Sequence, residues 1–314
     1  MKPIVFMFSG QGSQYYQMGL DLYSENERFN KNINSLNTLI MNRFGISLID
    51  TIYDKTKNIS TPFSDPVLSS LAIYLIEYAL ASTLRDYHIE PDQIIGSSMG
   101  IFIASLFTNC IDKNQGLEAI YHLMRLVTEK CLSGRMIAVL DDPKLFDNSA
   151  TLKKYCQLAA VDKGFCFVIS MQLKDVERVE AYLNETEVTF QQLPVSKPYH
   201  STWMDEIKDA FLGLALSPKK PSIPLICCAK TEALELVETS DLWRAVRNPL
   251  LFSDTIAKIE QTTACRYIDV GPSGMMGTCL KYILPKNTES EIYTILSPYK
   301  QASKNFAEVL KQCK

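Results

Sequence analysis

Ser98 lies between two glycines in the stretch Gly96-Ser97-Ser98-Met99-Gly100, a G-x-S-x-G pattern. This pattern suits a nucleophilic serine when it forms a tight turn between a strand and a helix. Such a turn exposes the hydroxyl and directs the next backbone N–H, here that of Met99, toward a developing oxyanion. The apolar residues on both sides of the turn predict that strand and helix. The alternative is an ordinary serine in a glycine-flanked turn, because so short a pattern also arises by chance.

A serine hydroxyl needs a base within hydrogen-bond reach, and the chain has three histidines. His88 lies in the polar connector RDYHIEPD, which is typical of a solvated loop. His122 lies in the helical stretch LEAIYHLMRL and is interpreted as a packed or surface residue. His200 follows a proline in VSKPYHSTWMD, on a loop that returns after a separate structural unit, and it is the candidate to face Ser98.

A second glycine-flanked loop, Ser9-Gly10-Gln11-Gly12-Ser13-Gln14, follows the first apolar run of the chain. Such a loop can bring a backbone N–H close to a ligand. A plain turn or a phosphate-binding loop are the alternatives. The loop lacks the lysine of a P-loop and the third glycine of a dinucleotide fingerprint, so a nucleotide site is the weaker interpretation.

The elements that must position these loops alternate between strands and helices. Residues 3–8 predict a buried strand, and residues 67–85 predict a buried helix. Residues 134–196 predict the order β-α-β-β-α-β, with one helix over 143–155, which is the ferredoxin-like pattern. We therefore predict an α/β fold. Its large α/β-hydrolase-like domain would span 1–133 plus 197–314, and the small ferredoxin-like domain 134–196 would be inserted into it.

The composition is that of an ordinary globular protein, with 46% hydrophobic and 21% charged residues among 314. The amino terminus lacks the pattern of a signal peptide, and no apolar run of about 18 residues is evident. The nine cysteines show no metal-binding spacing, which predicts reduced thiols and no metal site. A net charge of −3 argues against broad binding to nucleic acid. These features predict a cytoplasmic protein without a membrane partner.

Five segments, in chain order, resemble the motifs of one enzyme family. The segment FSGQGSQYYQMG resembles the F-P-G-Q-G-S-Q motif of the malonyl-CoA:acyl-carrier-protein transacylases and polyketide-synthase acyltransferases. GSSMG resembles their G-H-S-x-G turn, and VSKPYHS resembles their loop ending in F-H-S. NPLLF resembles N-P-V-x-F, and DVGPSG resembles E-x-G-P-x. The resemblance covers nearly the whole chain, including the inserted unit.

The resemblance implies a set of roles for these residues. Ser98 would be the nucleophile and His200 the base, in a dyad whose histidine is oriented by a main-chain carbonyl near Asn248. The backbone N–H groups of Gln11 and Met99 would form the oxyanion hole. The acyl group would arrive on the phosphopantetheine of an acyl carrier protein, or on coenzyme A, with no bound cofactor and with the enzyme as a monomer.

Carrier proteins are usually acidic, so a rim of basic residues beside the active-site cleft is expected. The sequence candidates for that rim are Arg135, Lys197 and Lys281. The alternative for each is a solvated surface charge.

Several residues near the predicted acyl pocket depart from the family pattern. Family members that carry malonyl groups have an arginine whose place falls near Leu123, and Arg125 lies two residues away, about 200° around a helix. A different gap placement would restore Arg125 as the carboxylate clamp. Asp65 stands where the family has the glutamine of Gln-Pro-Ala, either to repel a carboxylate or only to cap the helix that Pro66 begins. Ser97 replaces the histidine of the serine turn.

Tyr199 replaces the phenylalanine before His200, and with the residues just named it completes the predicted acyl pocket. A pocket without the arginine clamp would favour uncharged acyl groups. The sequence then most resembles the acyltransferase-like acyl hydrolases that act in trans beside trans-acyltransferase polyketide synthases and clear stalled or wrong acyl groups.

Two other functions are possible. One is a malonyl transacylase that loads carrier proteins, which an Arg125 facing Ser98 would favour. The other is a docking module for carrier proteins with a vestigial site, against which the retained Ser98, His200 and Gln11 argue. A lipase-type hydrolase is less favoured, because the residues between Ser98 and His200 show no acid in a recognisable triad context.

Overall fold

The computed structural model describes residues 2–162 and 164–313 and contains two β-sheets. The larger sheet has six strands in the order β10-β9-β1-β2-β7-β8, parallel except for the last pair. The smaller sheet has four antiparallel strands in the order β4-β5-β3-β6. The strands are β1 Ile4–Phe8, β2 Gln93–Gly96, β3 Gly134–Val139, β4 Cys156–Asp162, β5 Cys166–Gln172, β6 Phe190–Gln192, β7 Leu225–Cys227, β8 Glu232–Ala233, β9 Arg266–Asp269 and β10 Glu291–Thr294.

Helices cover both faces of the large sheet and one face of the small one. They are α1 Leu20–Glu25, α2 Glu27–Phe44, α3 Leu48–Ile52, α4 Pro66–Asp86, α5 Gly100–Phe107, α6 Lys113–Lys130, α7 Lys144–Asn148, α8 Ala150–Tyr155, α9 Val176–Glu185, α10 Lys208–Leu212, α11 Thr239–Arg247, α12 Phe252–Glu260, α13 Met275–Ile283 and α14 Ala302–Gln312. Two short 3₁₀ helices occupy Leu173–Asp175 and Thr202–Ile207.

The centre of the large sheet is formed by the two strands that lead into the glycine-flanked loops. β1 has the sequence IVFMF, and its last four residues are buried. β2 pairs with it in parallel, with Phe8 opposite Gly96. The loop that begins at Ser9 and the turn at Ser98 therefore leave the sheet side by side at its carboxyl edge, which is where ligands bind in open α/β sheets.

Helix α4 runs through the core of the large domain and is apolar on nearly every side. By length and composition it could cross a membrane, which the search for apolar runs in the sequence missed. Of its most apolar window, 83% is buried inside the protein. It is therefore a core helix, and it forms one wall of the cleft described below.

The small sheet has the strand order of a ferredoxin-like unit, which confirms the predicted pattern β-α-β-β-α-β. Two details differ from prediction. The single helix expected over 143–155 is two helices, because the Ser149 side chain accepts a hydrogen bond from the Leu152 N–H and starts a second helix at Ala150. The strand expected over 188–195 is limited to β6.

The small unit is joined to the large one by backbone pairing as well as by the chain. Leu250 forms a parallel bridge with Ala160 of β4, through its N–H to Ala159 O at 2.9 Å and its carbonyl to Val161 N at 3.0 Å. Gly134 N–H donates to Ser196 O at 3.0 Å, where the small unit ends. The domain boundaries themselves, 1–133 plus 197–314 and 134–196, stay a prediction.

Candidate active site

Ser98 lies on a strained turn between β2 and α5. Its φ of 54° is in the left-handed region, which a residue with a Cβ adopts only when its surroundings require it. The two flanking glycines permit this turn through close packing. A Cβ on Gly100 would lie 2.2 Å from Phe8 O, and one on Gly96 would lie 2.6 Å from Ile101 Cα. The G-x-S-x-G pattern therefore has the strand–turn–helix context that a nucleophilic serine requires.

The structure brings His200 to Ser98 across 102 residues of sequence. Ser98 Oγ lies 2.9 Å from His200 Nε2, and His200 Nδ1 lies 2.8 Å from the main-chain carbonyl of Asn248. A carbonyl oxygen can only accept, so the ring proton must be on Nδ1. Nε2 is then free to accept the hydroxyl proton of Ser98, which is the arrangement a general base needs.

His200 and the residue that orients it, Asn248, are both held by regular structure. His200 has a φ of 56°, and its own N–H donates to Val246 O at 3.1 Å, in the last turn of α11. Asn248 ends that helix, with its N–H donated to Arg244 O at 2.9 Å. Two residues later, Leu250 is bridged to β4. The orienting carbonyl therefore lies between a helix terminus and the small sheet.

Burial sets the ionisation of the histidine. His200 is only 3% exposed, and this desolvation lowers the pKa of its imidazole to about 4, although the hydrogen bond to Asn248 O acts in the opposite direction. The imidazole is therefore neutral at physiological pH and can accept a proton. His88 and His122 are both exposed, the first just beyond the end of α4 and the second on α6.

The loop after β1 lies directly over Ser98. A Cβ on Gly10 would be 2.6 Å from Ser98 Cβ and 3.1 Å from its Oγ, so only glycine fits there. Within residues 2–162 and 164–313, neither the Gln11 N–H nor the Met99 N–H has a hydrogen-bond acceptor. The structure thus places the two predicted oxyanion donors on the loops that adjoin Ser98, with both N–H groups unused.

The side chain of Gln11 is hydrogen-bonded to the first turns of α4. Its Nε2 donates to Pro66 O at 3.0 Å, Ser69 Oγ at 3.2 Å and Ser70 Oγ at 2.6 Å. Asp65, predicted as a pocket residue, is instead an exposed N-cap that accepts from Leu68 N–H at 2.8 Å. The structure therefore shows the capping alternative for Asp65, which adjoins the Pro66 carbonyl that Gln11 contacts.

Helix α6 contacts the residue before His200 through an uncharged side chain. Tyr199 is buried, and its hydroxyl lies 3.8 Å from Met124 Sδ. Burial raises the pKa of Tyr199. The nearby Cys131 and Asp65 raise this pKa further, whereas a hydrogen bond from the Gln11 side chain lowers it.

The two predicted positions on α6 behave differently. Arg125 is an exposed residue that forms an i,i+4 ion pair with Glu129, so it is not part of the pocket. Leu123 is buried, at 1% exposure, but the residue of α6 that meets Tyr199 is Met124. One residue is about 100° around a helix, so a single-residue error in gap placement explains the difference.

Ser97, the other predicted pocket residue, is half-buried and belongs to the turn. Its N–H donates to Phe8 O at 2.9 Å, and its side chain interacts with the buried Cys228. It therefore holds the turn against β1.

Of the three basic residues predicted for the rim, Lys197 is not a rim residue, so that prediction was wrong. It is 8% exposed, and its Nζ donates to Cys131 O at 2.6 Å and Thr128 O at 3.4 Å, where it caps the carboxyl end of α6. Arg135 is half-buried on β3, and Lys281 is exposed on α13. These two stay predicted rim residues.

Sequence reasoning missed three residues of this region: Ser70, which contacts Gln11, Met124, which contacts Tyr199, and Glu77 of α4, which is fully buried beside the Ser9 loop. A signal for Glu77 was present, because it is the sole acidic residue in α4 before Asp86. Among the described residues, no group of three or more histidine, cysteine or acidic side chains could hold a metal ion.

Comparison with known proteins assigns this architecture. The profile of the acyl transferase domain family matches residues 5–313. The polyketide biosynthesis acyltransferase homolog PksD of Bacillus subtilis (strain 168) is 34% identical over 310 residues, which are 98% of this chain and 96% of PksD.

Solved structures of low sequence identity share the fold. The acyl transferase domain of SpnD, in complex with 2-(pent-4-yn-1-yl)malonyl, matches with a TM-score of 0.86 and 22% identity, over 98% of this chain and 75% of that one. The malonyl CoA-acyl carrier protein transacylase of Clostridium perfringens matches with a TM-score of 0.80 and 20% identity, over 98% of both chains. These matches confirm the predicted fold class, a large α/β-hydrolase-like domain with an inserted ferredoxin-like one.

Proposed function

The chain belongs to the acyl transferase domain family, and on that premise we propose that it is an acyl hydrolase of polyketide biosynthesis. It would act in trans, in the cytoplasm, on acyl groups carried by acyl carrier proteins. It would clear stalled or wrong acyl groups through an ester on Ser98. The observation that supports the choice of hydrolase is the position of Arg125, the predicted carboxylate clamp, which is exposed and paired with Glu129.

The first half-reaction would form the acyl-enzyme. As Ser98 Oγ attacks the thioester carbon, its proton moves to His200 Nε2, 2.9 Å away. The carbonyl oxygen becomes an oxyanion that accepts hydrogen bonds from the Gln11 and Met99 N–H groups. Collapse breaks the carbon–sulfur bond, and the phosphopantetheine thiolate takes the proton from His200 and leaves as a thiol.

The second half-reaction would release the acid. A water molecule gives a proton to His200 Nε2 and adds to the ester carbon, and the same two N–H groups stabilise the second oxyanion. Collapse breaks the bond to Ser98, whose oxygen recovers the proton from His200. The products are the free acid and the starting enzyme, and the neutral imidazole supports both steps.

An uncharged acyl group suits the pocket wall better than malonyl does. A buried carboxylate without a paired cation is strongly disfavoured, and Arg is the residue that pairs with it in two-point geometry. Here Arg125 is directed to solvent and pairs with Glu129. The negative charge of Asp65 also reaches Tyr199, where it contributes to raising the pKa of the phenol.

A malonyl transacylase is the second candidate, because a solved transacylase shares the fold and the dyad chemistry is common to both activities. In that case a thiol of a second carrier protein would replace water in the second half-reaction. A non-catalytic docking module is the third candidate, and the 2.9 Å contact between Ser98 and His200 argues against it.

The test is to incubate the enzyme separately with acetyl- and malonyl-loaded carrier protein and to follow the mass of the acyl-enzyme and the free acid. Ser98→Ala is the control for the nucleophile, and Arg125→Ala is the control for the clamp. We expect free acetate, little malonyl adduct and no effect of Arg125→Ala. A stable malonyl adduct that passes to a fresh carrier thiol, and that Arg125→Ala abolishes, would establish the transacylase instead.

A further inference from the structure

A chain of buried oxygen atoms connects Glu77 to the loop that carries Gln11. Glu77 Oε1 lies 2.6 Å from Ser9 Oγ, Ser9 Oγ lies 2.9 Å from Ser13 Oγ, and Ser13 Oγ lies 2.8 Å from Gly10 O. All of these side chains are buried, with Glu77 at 0% and Ser13 at 1% exposure. We propose that this chain is a positioning device which fixes the direction of the Gln11 N–H in the oxyanion hole.

The end of the chain determines the orientation of one peptide group. Gly10 O and the Gln11 N–H belong to the same peptide bond and point in opposite directions in a trans peptide. The structure has no cis peptide bond among the described residues. A hydrogen bond that holds Gly10 O against Ser13 therefore directs the Gln11 N–H to the other side, where Gly10 packs on Ser98.

Counting protons identifies the state of Glu77. The chain has three oxygen–oxygen contacts, and the two serine hydroxyls supply two protons. The Gly10 carbonyl supplies none, so the third must come from a protonated Glu77. The order is then Glu77 to Ser9, Ser9 to Ser13, and Ser13 to Gly10 O. An ionised Glu77 would leave one of the three contacts without a proton.

The surroundings of Glu77 favour the protonated form. Burial raises its pKa well above the ordinary value, and the nearby Asp269 raises it further, whereas the contacts with the Ser9 hydroxyl and N–H act in the opposite direction. In the described part of the chain, Glu77 Oε2 has no hydrogen-bond partner, which a carboxylate would tolerate poorly. The Ser9 N–H also donates to Oε1, at 2.9 Å, which holds the carboxyl group in place.

Two sequence features make this chain of buried oxygen atoms possible. Ser9 stands where the related motif has proline, which has neither an N–H nor a hydroxyl. Gly271 packs against the same serine, and a Cβ there would lie 2.6 Å from Ser9 Oγ and 2.9 Å from Asp269 Oδ1.

The first test measures rates with p-nitrophenyl acetate, which can acylate Ser98 without a carrier protein. Ser13→Ala should lower the acylation and deacylation rates by the same factor, about 10-fold or more, because both steps form an oxyanion at the same N–H groups. KM should stay unchanged. Glu77→Met, which keeps the volume but not the donor, should act similarly. Glu77→Gln, whose NH₂ still donates to Ser9 Oγ but cannot accept from the Ser9 N–H, should recover part of the rate that Glu77→Met loses.

Equal rates in Ser13→Ala and the wild type would overturn the proposal, as would a fall in acylation alone. A Glu77→Gln enzyme as slow as Glu77→Met would show that Glu77 acts as an anion. Melting temperatures identify variants that merely fail to fold. If Glu77→Met does not fold, the rates of Ser13→Ala still test the proposal.

A second test does not depend on activity. The infrared difference spectrum between the wild type and Glu77→Gln at neutral pH should show the C=O stretch of a protonated carboxylic acid, and a carboxylate band instead would refute the protonated state. A crystal structure of Ser13→Ala should show a reoriented Gly10–Gln11 peptide, and an unchanged peptide would refute its control by the chain.

The rate test rests on the proposed function through Ser98 alone. An enzyme that reacts with the ester but not with carrier thioesters would contradict that function and still test the chain.

Discussion

The buried histidine predicts an unusual dependence of activity on pH. His200 should remain a competent base far into the acid range, because burial lowers its pKa from 6.5 to about 4. At pH 5, a pKa of 4 leaves about 90% of the imidazole neutral, whereas a pKa of 6.5 would leave about 3%. The two cases differ about 30-fold in the expected kcat/KM at that pH relative to the plateau at pH 8.

The assay follows the release of thiol from the N-acetylcysteamine thioester of acetate, with a dipyridyl disulfide that reports thiols in acid. We expect kcat/KM to stay near its plateau down to pH 5 and to fall with a midpoint near 4. An acid limb with its midpoint near 6.5 would refute the reasoning, because it would mean that His200 is solvated in the free enzyme.

The same pKa shift makes the free energy of unfolding depend on pH. The unfolded chain takes up the proton of this histidine at about pH 6.5 and the folded chain only near pH 4. The contribution of His200 is therefore complete above pH 6.5, falls as the pH drops through this window, and by pH 4 has decreased by about 3 kcal/mol. Urea unfolding of the wild type and of His200→Gln at several pH values isolates this difference, because the variant retains every other titrating group. A difference that does not change with pH would contradict the shift.

Three further substitutions test other parts of the site. Gly10→Ala should reduce acylation by about 100-fold or more, because its Cβ would meet Ser98 Cβ at 2.6 Å, whereas Gly213→Ala, with no neighbour nearer than 3.4 Å, should leave the rate unchanged. Arg125→Ala should change neither kcat/KM for acetyl thioesters nor, by more than about 0.5 kcal/mol, the free energy of unfolding in urea, since an exposed i,i+4 ion pair contributes little. Lys197→Met should lower the free energy of unfolding by about 1–3 kcal/mol through the loss of two hydrogen bonds to α6 carbonyls. If Lys197 instead contacts a carrier protein, the variant will bind the carrier more weakly, with a shallower salt dependence and normal stability.

Local patterns were sufficient for the elements that carry the dyad. The apolar runs of β1, β2 and α4 were each predicted from their own composition, and the glycines on both sides of Ser98 indicated the turn between β2 and α5. The division of residues 143–155 into two helices depends on one serine side chain. That residue can cap a helix or lie within one, and the apolar periodicity is the same in both cases.

The pocket wall was predicted less well, because it depends on contacts between distant segments. Asp65 was matched to a motif by its distance from Pro66, but that match does not reveal that its side chain is exposed and caps α4. Lys197 was read as a surface charge, since no local pattern reveals that the carboxyl end of α6 lies above it. Met124 and Leu123 differ by one position, which a sequence comparison with a gap cannot separate.

The main-chain acceptor that orients His200 determines which substitutions can remove its hydrogen bond. In a Ser-His-Asp triad, one codon change can delete the carboxylate, but at position 248 every residue type contributes the same main-chain carbonyl. A missense change there alters the side chain and leaves the acceptor of the 2.8 Å hydrogen bond in place. The proposed dyad accordingly depends on two side chains instead of three, and we expect substitutions at residue 248 to keep the acceptor of His200 Nδ1.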